Sequence, residues 1–239
     1  LREKVLEPLH EKFGTDVSDK AMLDSVARHN ELCRVLTEIG DFRRLDNPPI
    51  TGYEYHILCL VSYCCPQELV IGPLKETLEE IKKRRPDVKP AYRVRIEMVG
   101  SEVDDPEFTR TVEESGALIV ADRFCFGSVP GRQEISLPEN MPVLEGIVQN
   151  YMQTSQCPRY MPREKVEERR DTVERLAREY KADGILYEAM KFCEYWGYER
   201  PLASRVLSDE RGIATVCIDR HYTGAASGQL RTRVQAFVE

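Results

Sequence analysis

From residue 89 to its end the chain alternates between two textures. Four short β-rich runs, at 92–99, 117–121, 184–187 and 213–218, are separated by stretches with helical spacing at 106–115, 143–152, 163–180 and 192–207. A last helical stretch, 227–238, closes the chain. Strands alternating with helices of this length read as crossover units, which pair strands in parallel and cover the sheet with helices. The expectation is an α/β fold: a four-stranded, doubly wound parallel sheet of Rossmann or flavodoxin-like type, with right-handed crossovers. Gly197 and Pro201 are expected to interrupt the fourth helical stretch.

Residues 1–88 read differently, as a helical region with no alternating strand pattern. A first helix over 1–13 carries Val5, Leu6, Leu9 and Phe13 on one side and stops at Gly14. Ser18 or Asp19 is placed to cap a second helix running to about residue 42. Asn47-Pro48-Pro49 breaks the pattern, 53–63 is apolar enough for a buried helix, and 73–85 begins with a helix-compatible proline. The two regions are expected to divide as 1–88 and 89–239. Within 163–180, Val166, Val173, Leu176, Ala177 and Tyr180 form an inner stripe. The remaining charged face is expected to be solvated and supported by the pairs Asp171/Arg175 and Glu174/Arg178.

Charge and cysteine usage narrow the function classes. The net charge is −7 over 239 residues with no long basic tract, which argues against nucleic acid and anionic membranes as partners. No apolar run approaches the roughly 18 residues of a membrane span. The amino terminus, LREKVLEPLHEKF, is charged and helical rather than a secretory leader. Eight cysteines are present without a C-x-x-C pair, so the expectation is reduced thiols in a cytoplasmic protein. The sequence starts at Leu1 rather than Met, as a piece of a longer protein would.

Ligands of doubly wound sheets sit beyond the carboxyl ends of the strands. That rule selects Gly100-Ser101, Asp122 to Cys125, Glu188 to Cys193, and Asp219-Arg220-His221. Cys125 and Cys193 fall in this set, whereas Cys217 falls inside a strand and reads as a small core residue. For Cys125, between two phenylalanines, the core role leads; for Cys193, near Lys191, a structural and a functional thiol both remain open. His221 reads as a polar loop residue. No P-loop and no G-x-G-x-x-G is present. Gly228 and Arg231, at the entry to the last helix, are a candidate anion contact, although ordinary capping accounts for the same residues.

The stretch DGILYEAMKFCEYWGYERPLASRVLSDERGIATVCIDRHYTGAASGQLRTRVQAFVE resembles the carboxyl end of the 2-hydroxyacyl-CoA dehydratase and benzoyl-CoA reductase family. RVRIEMVGSEVDDPEF and ESGALIVADRFCFGS resemble its central segment, and SDKAMLDSVARHNELCRVLTEI with PPITGYE resembles its helical linker. The resemblance implies a subunit of a heterodimer of related chains, served by a separate ATP-hydrolysing iron–sulfur activator that injects one low-potential electron. It implies a [4Fe-4S] cluster in the full-length parent, held through cysteines, and a CoA-thioester substrate. In dehydratases of the family the thioester is reduced to a ketyl radical so that the β-hydrogen and the 2-hydroxyl can leave; reductases put electrons into an aromatic ring. Carried over onto this chain, Cys193 of KFC matches a cluster ligand. Lys191, Phe192, Cys125 and Ser101 would surround it or line the cleft. The other two ligands belong to an amino-terminal cluster-binding domain that this sequence does not contain, so the chain alone is expected to be metal-free and inactive. Three readings follow: a radical dehydratase subunit, a benzoyl-CoA-type ring reductase subunit, or a non-catalytic scaffolding relative.

Overall fold

The computed structural model describes all residues except 87–91, 161 and 223–226. The boundary expected at 88/89 therefore lies outside the described residues. Four helices come first: α1 (Glu7–Phe13, after a π-helical turn Arg2–Leu6), α2 (Asp19–Asp41), α3 (Gly52–Cys64) and α4 (Gln67–Ile81). Gly14 ends α1 at φ 66°, where a side chain would be strained. Ser18 caps α2, its hydroxyl accepting from the Ala21 amide.

α4 begins at Gln67 rather than at Pro73, which lies inside it. The run Val70, Leu74, Leu78 and Ile81 buries one stripe against α2 and α3 and carries the helix through the proline. The ring denies a partner only to the Leu69 carbonyl, and Leu69 is exposed, so water can serve it.

The alternating part follows as expected: β1 (Val94–Gly100), α5 (Pro106–Glu114), β2 (Ala117–Arg123), α6 (Ser128–Gly131), α7 (Val143–Thr154), α8 (Arg163–Glu179), β3 (Gly184–Met190), α9 (Glu194–Arg205), β4 (Ala214–Arg220) and α10 (Ser227–Val238). The sheet is parallel throughout, in the order β2-β1-β3-β4. Alternate strand residues feed two cores. Ile96, Met98, Ile119, Leu186 and Ile218 pack under α5 and α10. Val99, Ile185, Tyr187 and Ala189 pack under α8 and α9. Helices on both faces make the fold doubly wound. The chain winds from β1 out to β2, then returns to place β3 on the other side of β1, so the topological switch lies between β1 and β3.

Three local expectations need correction. Gly197 and Pro201 do not break α9, which continues through both. Asp171 pairs with Arg211 at 2.8 Å and Arg175 with Glu179 at 3.0 Å, not with each other, while Glu174–Arg178 forms at 2.7 Å. Finally, β2, β3 and β4 run two or three residues further than their apolar patterns. Asp122-Arg123, Glu188 and Asp219-Arg220 are thus strand residues at the carboxyl edge, not loop residues beyond it.

The helical region is fastened to the sheet by polar contacts. Glu113 at the end of α5 accepts from the Gly52 and Tyr53 amides at the start of α3 and from the Ile119 amide of β2, at 2.8, 3.2 and 3.1 Å. A Cβ on Gly52 would lie 2.4 Å from Ile119, so only glycine permits this approach. Thr51 and Glu54 complete a capping box on the same helix. A second joint is the ion pair Arg43–Asp122 at 2.8 Å, with both side chains almost wholly buried.

Candidate functional site

At the switch point the strand ends carry a closed polar network. Glu188, on β3, lies beside Gly100 and Ser101 at the end of β1. Its Oε2 accepts from the Ser101 amide at 3.0 Å and hydroxyl at 2.9 Å, and its Oε1 accepts from Arg220 Nε of β4 at 3.0 Å. The Ser101 hydroxyl in turn accepts from the Met190 amide at 2.7 Å. Arg220 also donates to the Glu102 carbonyl. Burial pushes the Glu188 carboxyl up, and Arg220 with Ser101 pulls it back. A Cβ on Gly100 would meet the Glu188 carbonyl oxygen at 2.4 Å. The network ties three strand ends together and leaves both Glu188 oxygens engaged, so it fixes the edge rather than offering a proton acceptor.

Cys193 stands immediately beyond this edge. It is the N-cap of α9 and half-buried, packed beside the Val99–Tyr187 core. Phe192 before it sits in the left-handed region at φ 73° and is 99% exposed. A bulky residue with this backbone is unusual, and strain of this kind collects at functional turns. Lys191, exposed on the same turn, holds its amide to the Arg220 carbonyl at 2.8 Å. Lys191 and Arg231 line a hollow between α5, β4 and α10, but Arg231 is ion-paired with Glu114 at 2.7 Å. Gly228 meets no neighbour within contact distance of an added Cβ, and the start of the GAASGQLRTR segment lies outside the described residues.

Cys125 is not a core residue. It is exposed at the mouth of a separate cavity, and the buried aromatic of that turn is Phe124. Desolvation by its surroundings, with Cys157 and Cys193 adding like charge, pushes its thiol up to about 12. Such a thiol is protonated and unreactive at neutral pH. Cys217 is half-buried in β4 against the α9 core, as its strand position suggested.

The cavity, about 450 Å³, lies on the α8/α9 face at the carboxyl ends of β1, β2 and β3, closed by α2 and α3. Arg123, Arg169, Arg170, Trp196 and Glu199 line it. Of these, only Arg123 stood in a group selected by the strand-end rule. Arg169 and Glu199 are buried and paired at 2.9 Å, although the charged face of the helix carrying Arg169 was expected to be solvated; no local signal joins the two.

Deeper still, Glu97 sits in the middle of β1 at 0% exposure, where the β1–β2 register slips, and neither carboxyl oxygen has a hydrogen-bond partner. Burial raises its carboxyl well above the ordinary carboxylate range, with Arg123 the main opposing charge. The unfolded chain releases this proton near a pKa of about 4.3, while the folded chain keeps it. Above that pH the native state binds the extra proton, so this group lowers stability as pH rises toward its folded pKa. Glu97→Gln should therefore be more stable than the parent at pH 7.5. Its advantage should grow by up to about 1.4 kcal/mol per pH unit from pH 5 upward and vanish near pH 4. Urea unfolding at three pH values measures this; a pH-independent difference would show that Glu97 is ionised.

The fold is that of a doubly wound α/β protein with its topological switch point between β1 and β3. The profile of the 2-hydroxyglutaryl-CoA dehydratase D-component matches residues 2–239, and the chain belongs to that family. It is similar to YjiM of Escherichia coli (strain K12), named as a dehydratase subunit, with 22% identity over 242 residues, covering 99% of this chain and 61% of the relative. It is also similar to the (R)-phenyllactyl-CoA dehydratase beta subunit of Clostridium sporogenes, with 24% identity over 235 residues, covering 98% of this chain and 60% of the relative. The chain thus spans about three fifths of the length of these relatives.

The iron–sulfur cluster that the resemblance implies can be tested against the side chains present. Among the described residues no group of three or more Cys, His, Asp or Glu side chains is arranged to hold a metal ion. A complete site is therefore not built within them. Cys193 suits one corner of such a site: its sulfur stands at the sheet edge where the free amides of a helix start are available as donors.

Proposed function

We propose that the chain is part of a cytoplasmic 2-hydroxyacyl-CoA dehydratase subunit, acting with a related second subunit and an ATP-hydrolysing iron–sulfur activator. The observation that carries this reading is the family match over residues 2–239. The reaction is loss of water from a 2-hydroxyacyl thioester to give the enoyl thioester. The [4Fe-4S] cluster, when bound, supplies a one-electron step at low potential. Cys193 furnishes one thiolate, and the other ligands come from polypeptide outside this sequence. The chain's own contribution is positional. Ser101, Glu188 and Arg220 hold the ends of β1, β3 and β4 rigid, so the turn Lys191–Cys193 presents its thiol from a fixed base. Phe192, exposed beside the thiol, supplies apolar cover that excludes water once the rest of the enzyme closes over it.

The test uses the assembled enzyme with its activator, ATP and a reductant under anaerobic conditions. A 2-hydroxyacyl-CoA should be converted to the enoyl-CoA, with no turnover when the activator or ATP is left out. Conversion of benzoyl-CoA to a ring-reduced product, with the hydroxyacyl thioester untouched, would overturn the dehydratase reading. No turnover of either thioester, with the cluster intact, would point to a scaffolding subunit.

A further inference from the structure

We propose that the cavity on the α8/α9 face is a binding site for a small organic carboxylate with an aromatic or branched apolar body. Its volume, about 450 Å³, lies within the range of small-molecule sites. Val99, Phe124, Val129, Tyr151, Val173 and Tyr187 give it a largely apolar and aromatic wall.

Three arginines face it against a single carboxylate, in a chain whose net charge is −7. Their states differ. Arg169 is committed, with Nη2 on Glu199 at 2.9 Å and Nη1 on the Tyr160 carbonyl at 2.8 Å. Arg170 approaches the same Glu199 at 3.6 Å, and its Nε makes no hydrogen bond. Arg123 has one hydrogen bond, to the neutral Gln156 amide oxygen at 3.0 Å, and no carboxylate at ion-pair distance among the described residues. Arg123 is half-buried on the cavity wall with no counter-charge in contact among the described residues; a carboxylate entering from the cavity supplies that partner.

Trp196 gives an independent sign. The indole is more than nine-tenths buried in the cavity wall, and its N–H finds no hydrogen bond, only the weak acceptor sulfur of Cys125 nearby. Buried indole N–H groups usually have a partner. An oxygen of a bound carboxylate answers this donor as it answers Arg123. Cys193 itself does not line the cavity, and the binding measurement requires no cluster.

Trp196 is the single tryptophan of the sequence, so its fluorescence reports the cavity directly. The probes are 3-phenylpropanoate and its amide, 3-phenylpropanamide, titrated into the purified chain without iron, thioester or activator. The acid should produce a saturable change in emission at millimolar concentration or below, and the amide should bind roughly tenfold more weakly or worse. Arg123→Gln should abolish the preference for the acid. Arg123→Lys, which keeps the charge, should retain part of it and serves as the informative variant if the glutamine form is unstable. Absence of a saturable response to the acid, equal binding of acid and amide, or a preference that survives Arg123→Gln would each overturn the proposal. Failure of the dehydration assay leaves these binding results standing, so the two readings fail separately.

Discussion

Asp122→Ala should destabilise the chain by about 3–5 kcal/mol, the largest effect expected of any single side-chain removal in the sheet. Asp122 and Arg43 are both almost completely buried, and their ion pair joins the helical region to β2. Removing the carboxylate leaves a guanidinium in the interior with little else. It retains the face of Tyr55, 3.9 Å from the ring centroid, and a long contact to the Gly40 carbonyl, while Nη1 already lacks a partner. Asp122 also accepts from the Ser128 amide at 2.5 Å and hydroxyl at 2.8 Å, closing the turn that carries Phe124 and Cys125. A Cβ on Gly127 would meet the carboxylate at 2.3 Å, so the turn is built around this side chain. The substitution should therefore loosen the cavity wall as well as the joint.

Two further measurements separate a broken pair from a merely useful one. The double variant Arg43→Met, Asp122→Ala should recover much of the loss, because a buried pair is dear to break and cheap to replace by apolar groups. Acid should imitate the single variant. Burial opposes the Asp122 charge, but Arg43 and the Ser128 donors outweigh it and hold the carboxyl below its ordinary value. The stability it contributes is present above the unfolded pKa of about 3.9 and is lost as pH falls through the lower folded value. Denaturant midpoints measure both effects. A loss under 1 kcal/mol for Asp122→Ala would refute the joint.

How much of this was readable in the residues follows from the range of each interaction. The strands and helices were legible because their apolar spacing is local, and the parallel pairing followed from the alternation. The sheet edge was legible only in outline. Asp122, Glu188 and Arg220 look like the start of loops, since an isolated strand has no reason to bury a charge. They are strand residues because each finds its partner across the fold: Arg43 from 79 positions away, Arg220 from 32. Pro73 misled for the opposite reason, a strong local signal overruled by four buried aliphatics. The cavity was hidden for both reasons. Two of its arginines, Arg169 and Arg170, lie on a helix that reads as solvated, and Arg169 is buried where it pairs with Glu199 of α9. Glu97 is the exception with a local signal, a charged residue flanked by Ile96 and Met98 in an interior strand.

Cys193→Ser, made in the full-length subunit and assembled with its partner, should lose iron and activity together while leaving the fold unharmed. Cys193 is half-buried at the N-cap of α9 and makes no side-chain capping bond. Serine is a favoured N-cap whose hydroxyl can accept from the first-turn amides, worth about 1 kcal/mol relative to a residue that cannot. The local structure should thus hold or gain slightly, and the melting temperature should stay or rise. Iron binding should move the other way, because a serine oxygen is a harder and poorer ligand than thiolate for an iron–sulfur centre. Opposite signs in melt and metal content set this residue apart from a packing cysteine, whose replacement by serine would cost stability and leave iron unchanged. Cys217→Ser provides that comparison, since Cys217 lies within β4 against the same core. Iron and acid-labile sulfide per subunit, measured anaerobically beside thermal melts and turnover, read out all three quantities. A Cys193→Ser enzyme with a full complement of iron and normal dehydration would remove the thiol from the cluster and leave the left-handed turn at Phe192 in need of another explanation.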